Sequence, residues 1–232
     1  GAQDLPNHAF ELRLTRSPDI RLISTARLLR MISLTLSRIA DVLGGTLVLR
    51  GADSADTVVS GTVDTDSRLI GPGDIFVAKP GEHADGHDFV AAAIERGAVL
   101  AIVERPLDAA ITQIVVPGAV HALADLARFV VGEVRARGAL RIVGITGSNG
   151  KTTTKNMMAR ILEAEDETVA PQASFNNEVG APLTMLRITE RTRYLVSEFG
   201  ASAPGEIARL AGLVHPDIGV VLMVGMAHAG GF

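Results

Sequence analysis

The sequence contains no cysteine, no tryptophan and a single tyrosine, and only three of its 22 basic residues are lysines: Lys79, Lys151 and Lys155. Lack of cysteine removes disulfides, thiolate zinc sites and cysteine nucleophiles at once. Eight aromatic residues and a net charge of −4 argue against a nucleic-acid partner, which needs basic surface and stacking rings. Long apolar runs are missing too. The longest, Ile218 to Ala227, has 10 residues, whereas a spanning helix needs about 20, so no membrane insertion is expected. What is abundant is burial material: 47% of residues are hydrophobic and 21% charged, enough apolar surface to exclude wholesale disorder. At about 150 residues per domain, 232 residues make one or two domains, and a cytoplasmic globular chain is expected.

Residues 1–30 carry scattered arginines (Arg13, Arg16, Arg21, Arg27, Arg30) without an apolar core and read as a leader or appended segment outside the fold. From Met31 the patterning becomes mixed α/β. Leu36, Ile39, Ala40 and Leu43 fall at helical spacing before Gly44-Gly45. Strands are predicted over 58–63, 74–78, 98–103 and 111–116, with a helix over 89–96. Leu123, Leu126, Ala127, Val130, Val131 and Val134 then line one face of a long helix that Gly138 ends. That glycine divides a first unit, 31–138, from a second, 139–232. The second opens with a strand over 140–146, then a glycine-rich turn and a helix. Thr154, Met157, Met158, Ile161 and Leu162 would form that helix's inward stripe, with Lys155 a solvated residue. A strand over 193–198, a helix over 205–213 and a strand over 217–224 follow. Strands alternating with helices predict a parallel sheet with right-handed crossovers.

The most informative string is Ile142-Val143-Gly144-Ile145-Thr146-Gly147-Ser148-Asn149-Gly150-Lys151-Thr152-Thr153-Thr154. An apolar strand runs into a small flexible loop and then a helix. Glycines let successive backbone N–H groups face phosphate oxygens, and the helix N-terminus adds partial positive charge. Lys151 supplies a point charge for the β/γ-phosphates, and the Thr152 hydroxyl suits Mg²⁺. The general phosphate-loop pattern has glycine at the position of Ile145; here Gly147 and Gly150 stand one spacing tighter.

That tightened loop resembles the nucleotide loop of the Mur ligases. Asp64-Thr65-Asp66-Ser67-Arg68, Pro72-Gly73-Asp74-Ile75-Phe76-Val77-Ala78 and Asp85-Gly86-His87-Asp88-Phe89 resemble the family's uridine-diphosphate-binding domain. Ser174-Phe175-Asn176-Asn177-Glu178-Val179-Gly180-Ala181-Pro182, Glu198-Phe199-Gly200-Ala201 and Ala227-His228-Ala229-Gly230-Gly231-Phe232 are similar to its MurF-type members. The resemblance implies an α/β chain: a small UDP-substrate-binding domain, then the first part of a parallel-sheet ATPase domain. It implies ATP and Mg²⁺ as cofactors, with UDP-N-acetylmuramoyl tripeptide and D-alanyl-D-alanine joined through an acyl phosphate by a monomeric ligase. Gly147, Ser148, Asn149, Gly150, Lys151, Thr152 and Thr153 would hold the nucleotide, with Asn176 and Asn177 lining the cleft. Thr152, Glu198 and His228 would bind metal, and Lys151, Glu198 and His228 would serve catalysis. Ser67 and Arg68 would contact the uridine diphosphate, while Asp66 caps their turn; Lys79 and His87 are weaker candidates there.

The family's central domain continues beyond the point matched by Phe232, so residues 31–232 alone are expected to be inactive, with an exposed sheet edge. Two alternatives remain open: a MurE-type ligase adding a single amino acid, against which Asn176-Asn177 argues, and a non-catalytic UDP-substrate- or nucleotide-binding module.

Overall fold

The computed structural model describes residues 31–81, 84–171, 176–201 and 203–225. The reading of 1–30 and the assignment of His228 fall outside these residues. The first unit is built on a five-stranded sheet of β2 (Thr46–Val48), β4 (Val63–Asp64), β5 (Ile75–Val77), β6 (Leu100–Val103) and β7 (Thr112–Val115). Its order is β2-β7-β6-β5-β4, with only β2 antiparallel to its neighbour. A two-stranded antiparallel pair, β1 (Leu34–Thr35) with β3 (Val58–Val59), lies beside α1 (Leu36–Leu43), and α2 (Val90–Glu95) lies on the connection from β5 to β6. Central strands β5 and β6 are buried on both faces, as expected of parallel strands covered by helices.

The stretch expected as one strand over 58–63 is two. Val58–Val59 pairs with β1, whereas Val63–Asp64 pairs with β5. Gly61 is the cause: a Cβ there would sit 1.9 Å from the Gly73 carbonyl oxygen, so the chain bends where two backbones nearly touch. The short elements β2, β9 (Thr168–Val169) and α5 (Gly180–Met185) were beyond the reach of periodicity, because two to six residues span too little of a repeat.

Helix α3 (Ala119–Arg137) joins the units and follows the predicted stripe, with eight buried apolar residues from Ala119 to Val134. It packs against α1 on one side and against α5 and α6 (Glu206–Val214) on the other. One apolar cluster therefore runs without a break from Leu36 and Ile39 through Leu126 to Met185 and Leu213. Gly118, which precedes α3, offers no side-chain cap; a distant carboxylate does the work, with Glu104 Oε1 accepting from Ala119 N–H at 2.8 Å. The Glu104 N–H in turn donates to His87 Nε2 at 2.8 Å, and His87 Nδ1 faces Asp85 at 2.5 Å. His87 is buried, and both ring nitrogens are committed to this brace. Hydrogen bonds from the His87 backbone and ring, then Arg105, hold the Asp85 carboxyl well below the usual carboxylate range.

The second sheet is fully parallel, in the order β11 (Ile218–Val221), β8 (Arg141–Thr146), β10 (Tyr194–Glu198), β9. Helix α4 (Lys151–Glu163) packs on β8, β9 and β10; Met158 and Leu162 of the expected stripe lie half-buried against the sheet's apolar cluster, but the face is shifted toward Lys155 and Ala159. Lys155 and Ala159 are its buried residues, while Met157 and Ile161 are 63% and 66% exposed. The sheet meets the small Ala159, and Lys155 is drawn inside by an acceptor that the sequence does not reveal. No helix among the described residues is long and apolar enough to cross a membrane.

Arg135 near the end of α3 is one polar tie between the units, beside the Arg137–Glu190 pair at 2.8 Å. The Arg135 guanidinium pairs with Asp217 at 2.7 Å and donates to the carbonyls of Val214 and His215 at 3.0 and 2.9 Å. Burial alone would raise the Asp217 carboxyl, but the Ile142 N–H and the Arg135 and Arg141 guanidiniums outweigh it and hold it below its ordinary value.

Two stability predictions follow from this packing. Leu126→Ala, at a fully buried position, should cost about 2–5 kcal/mol, read as a shift in the urea midpoint with unchanged slope. Asp217→Asn removes the charge while keeping an acceptor for Ile142, and should cost about 1 kcal/mol at pH 7. A depressed carboxylate stabilises the fold above its unfolded pKa, near about 4, and loses that contribution as pH falls through the folded value. The penalty should therefore shrink below about pH 4; a penalty equally large at pH 2.5 and pH 7 would contradict the charge-based account.

Candidate functional site

Strand β8 delivers the chain to the carboxyl edge of the second sheet, where open parallel sheets bind ligands. There Gly147 (φ +140°) and Gly150 (φ +84°) adopt backbone conformations that side chains rarely reach. Gly147 also lies so close to the chain after β11 that a Cβ would stand 2.8 Å from the Leu222 Cβ. The loop is clipped to that segment by Ser148 N–H to the Met223 carbonyl (2.9 Å), Gly225 N–H to Ser148 Oγ (2.9 Å) and Leu222 N–H to the Thr146 carbonyl (2.9 Å). Gly150 then starts α4 without a side-chain cap, leaving the amides of the first helical turn facing the loop's concave side.

Lys151 curls back so that its Nζ donates to the Gly147 carbonyl at 2.6 Å. Thr152 and Thr153 are exposed on the first turn. Glu198 closes β10 and sits opposite Ile145 in the parallel register; it is 1% exposed. Thr152 Oγ1 lies 3.3 and 3.5 Å from its two carboxylate oxygens, and Asn176 Nδ2 donates to Oε1 at 3.1 Å. Among the described residues no cation pairs with this buried carboxylate. Asn176 is pinned in turn. Its carbonyl accepts from Gly200 N–H at 3.0 Å, and Gly200 can carry no side chain because a Cβ would lie 2.8 Å from the Asn176 amide carbon.

Two adjoining cavities share Lys151 and Asn176. One, of about 280 Å³, is bounded by Ser148 through Thr153, with Asn176 and Glu198. The other, of about 410 Å³, adds Asn177, Glu178, Gly200 and Arg209. Arg209 on α6 pairs across it with Glu178 at 2.9 Å, both half exposed. The structure thus brings together Gly147 to Thr153, Asn176, Asn177 and Glu198. The Asn177 side chain itself is committed to the N–H groups of Val179 and Gly180 at the start of α5.

Ser67 and Arg68 lie apart, on the first sheet, in a 3-10 turn after β4. Ser67 is buried, whereas Arg68 is exposed and clasped by Asp66, whose carboxylate also accepts from the Arg68 N–H at 2.9 Å. The Arg68 side chain holds the Asp66 carboxyl below its ordinary value, so the capping role expected of Asp66 is present. Sequence reasoning passed over Arg209 and undervalued Lys155. Arg209 sits on an ordinary amphipathic helix without a signal of its own. Lys155 had one, being one of three lysines and one helical turn from Lys151.

A divalent cation of the hard, oxygen-preferring kind suits the donor set: one buried carboxylate and one hydroxyl, both oxygen. No group of three His, Asp or Glu stands together among the described residues.

Comparison with known proteins points to one family. Residues 61–131 match the description "Mur ligase family, catalytic domain" and residues 145–232 match "Mur ligase middle domain". A UDP-N-acetylmuramoyl-tripeptide–D-alanyl-D-alanine ligase of Mycobacterium leprae is 45% identical over 224 residues, covering 87% of this chain and 43% of the relative. The Escherichia coli K12 protein of that name is 41% identical over 202 residues, covering 87% and 42%. Among solved structures, MurF from Acinetobacter baumannii superposes with a TM-score of 0.76 at 34% identity, covering 87% of this chain and 43% of that one. MurF from Thermotoga maritima in complex with ADP gives 0.62 at 37%, covering 72% and 38%. The chain therefore spans less than half the length of these relatives. Two domains of one family, met in tandem along the chain and reproduced in its fold, lead to one conclusion: the chain belongs to the Mur ligase family.

Proposed function

We propose that this chain is the nucleotide- and first-substrate-binding portion of an ATP-dependent, MurF-type ligase joining UDP-N-acetylmuramoyl tripeptide to D-alanyl-D-alanine in the cytoplasm. The names of the relatives and the ADP held by the Thermotoga maritima protein support the choice of substrates and nucleotide. The observation that carries the reading is the buried Glu198 carboxylate facing Thr152 across the Gly147–Lys151 loop. A carboxylate becomes a useful electrophile only after phosphorylation, and bringing it to a triphosphate requires that negative charge be neutralised. Mg²⁺, when bound, supplies that neutralisation and polarises the transferring phosphoryl group.

The chain's own residues do the rest. The loop amides and the first turn of α4 cradle phosphate oxygens. Lys151 exchanges the Gly147 carbonyl for phosphate, a short swing of a flexible stem. Glu198 and Thr152 hold the cation, with Asn176 steadying the carboxylate. The substrate carboxylate occupies the 410 Å³ cavity next to the phosphates, where Arg209 exchanges Glu178 for it. Residues 31–138 hold the uridine diphosphate end, with Arg68 released from Asp66 to meet a phosphate; residues 139–232 contribute the ATP site.

Calorimetry tests this directly. The chain should bind a non-hydrolysable ATP analogue with Mg²⁺, and Lys151→Ala should weaken it at least about tenfold, the scale of one charge-assisted contact. Glu198→Gln should retain metal-free nucleotide binding while losing the tightening that Mg²⁺ confers. Absence of nucleotide binding by the wild-type chain would refute the proposal. With UDP-N-acetylmuramoyl tripeptide as titrant, Arg68→Ala and Arg209→Met should each weaken binding by about five- to tenfold and leave nucleotide affinity unchanged. Tripeptide binding that fails only on Arg68→Ala, in a chain that ignores nucleotide, would instead mark a binding module.

A further inference from the structure

Among the described residues Lys155 is the only lysine or arginine that is buried, at 1% exposure. A buried ammonium loses its hydration and persists only where polar partners replace it, whereas an apolar residue would fill the same slot without that penalty. Its position therefore calls for a reason. Lys155 lies one helical turn beyond Lys151 on α4, and its Nζ donates to the Pro171 carbonyl at 2.7 Å. Pro171 is the last described residue after β9, and Asn176 is the next described residue along the chain. Asn176 is the residue whose amide reaches Glu198, with its carbonyl locked to Gly200 N–H. Lys155 thus holds Pro171, and Gly200 holds Asn176, five positions further along the chain.

We propose that Lys155 is a positioning residue for the cation site. By fixing Pro171 against α4, it sets where Asn176 presents its amide to Glu198, and so how the Glu198 carboxylate faces Thr152. The same helix then carries two lysines with separate tasks, Lys151 toward the phosphates and Lys155 toward the frame of the metal ligand. Flexible stems suit both, since each ammonium has to reach a backbone carbonyl off the helix axis. This inference rests on the nucleotide-binding reading above.

The test separates positioning from mere packing by measuring metal coupling. ADP is titrated into the full 232-residue chain with and without Mg²⁺, for the wild type, Lys155→Met and Asn176→Ala, with thermal unfolding recorded for each. Lys155→Met should keep its metal-free ADP affinity within about twofold and lose at least about fivefold of the Mg²⁺-dependent tightening, the scale of one charged hydrogen bond. Asn176→Ala, at the far end of the same tether, should lose a comparable share of the Mg²⁺-dependent tightening. Mg²⁺ tightening preserved in folded Lys155→Met would overturn the inference. So would equal loss of metal-free and metal-dependent binding, because that places Lys155 in the nucleotide cradle or the core alone. If Lys155→Met does not fold, Pro171→Gly, which loosens the same tether by freeing the backbone, is measured in its place: retained Mg²⁺ tightening overturns the proposal and its selective loss supports it. A wild-type chain that binds no nucleotide would sink the proposed function, and this inference with it.

Discussion

The parallel register between β8 and β10 is the constraint from which the site follows. Pairing Glu198 with Ile145 sets the last residue of one strand beside the phosphate loop that continues the other. Side chains alternate faces along a strand, so a slip by one residue would turn Glu198 to the opposite side of the sheet and put Ser197 or Phe199 in its place. Burial defends that register: Leu195 and Val196 are fully enclosed on opposite faces of the sheet, each in a different apolar cluster. The core thus places a charged group that it could not otherwise tolerate, and the loop, Thr152 and Asn176 complete its surroundings.

The second organising feature is α3. It is conventional in pattern and unusual in position, because one helix packs against helices of both units. Its stripe meets α1 from the first unit and α5 and α6 from the second, and Arg135 adds a polar clamp onto the chain leading into β11. The helix start is held by the Glu104–His87–Asp85 brace. His87, one of the residues resembling the family's uridine-diphosphate-binding domain, serves here by joining that segment to the end of a helix.

Much of this was legible beforehand where local chemistry is decisive. Periodic elements such as α1 and α3 came out as expected, since their apolar spacing spans two turns or more. The loop from Gly147 to Thr152 was legible because its glycines, lysine and hydroxyl have few other uses at a strand-to-helix junction. The inner face of α4 was legible only in part, with Met158 and Leu162 packed against the sheet as expected. Met157 and Ile161 match Ala159 and Lys155 for helical spacing and exceed them in hydrophobicity, yet they face outward. What decides the face is the sheet beneath, which leaves room for a methyl group and offers the Pro171 carbonyl to an ammonium.

The sequence by itself determined the kind of protein: an α/β chain with a phosphate-binding turn, a small stock of lysines and the Mur ligase motifs. Those properties reside in residue types and short spacings. Only the tertiary structure decided that Glu198 is buried against Thr152, that Asn177 caps a helix while its neighbour Asn176 meets the carboxylate, and that Arg209 faces Glu178 across a cavity. Each of these joins residues from 22 to 46 positions apart or assigns neighbouring amides to different partners. Such choices depend on strand register and crossover geometry, which arise when the whole core packs and leave no local mark on the chain.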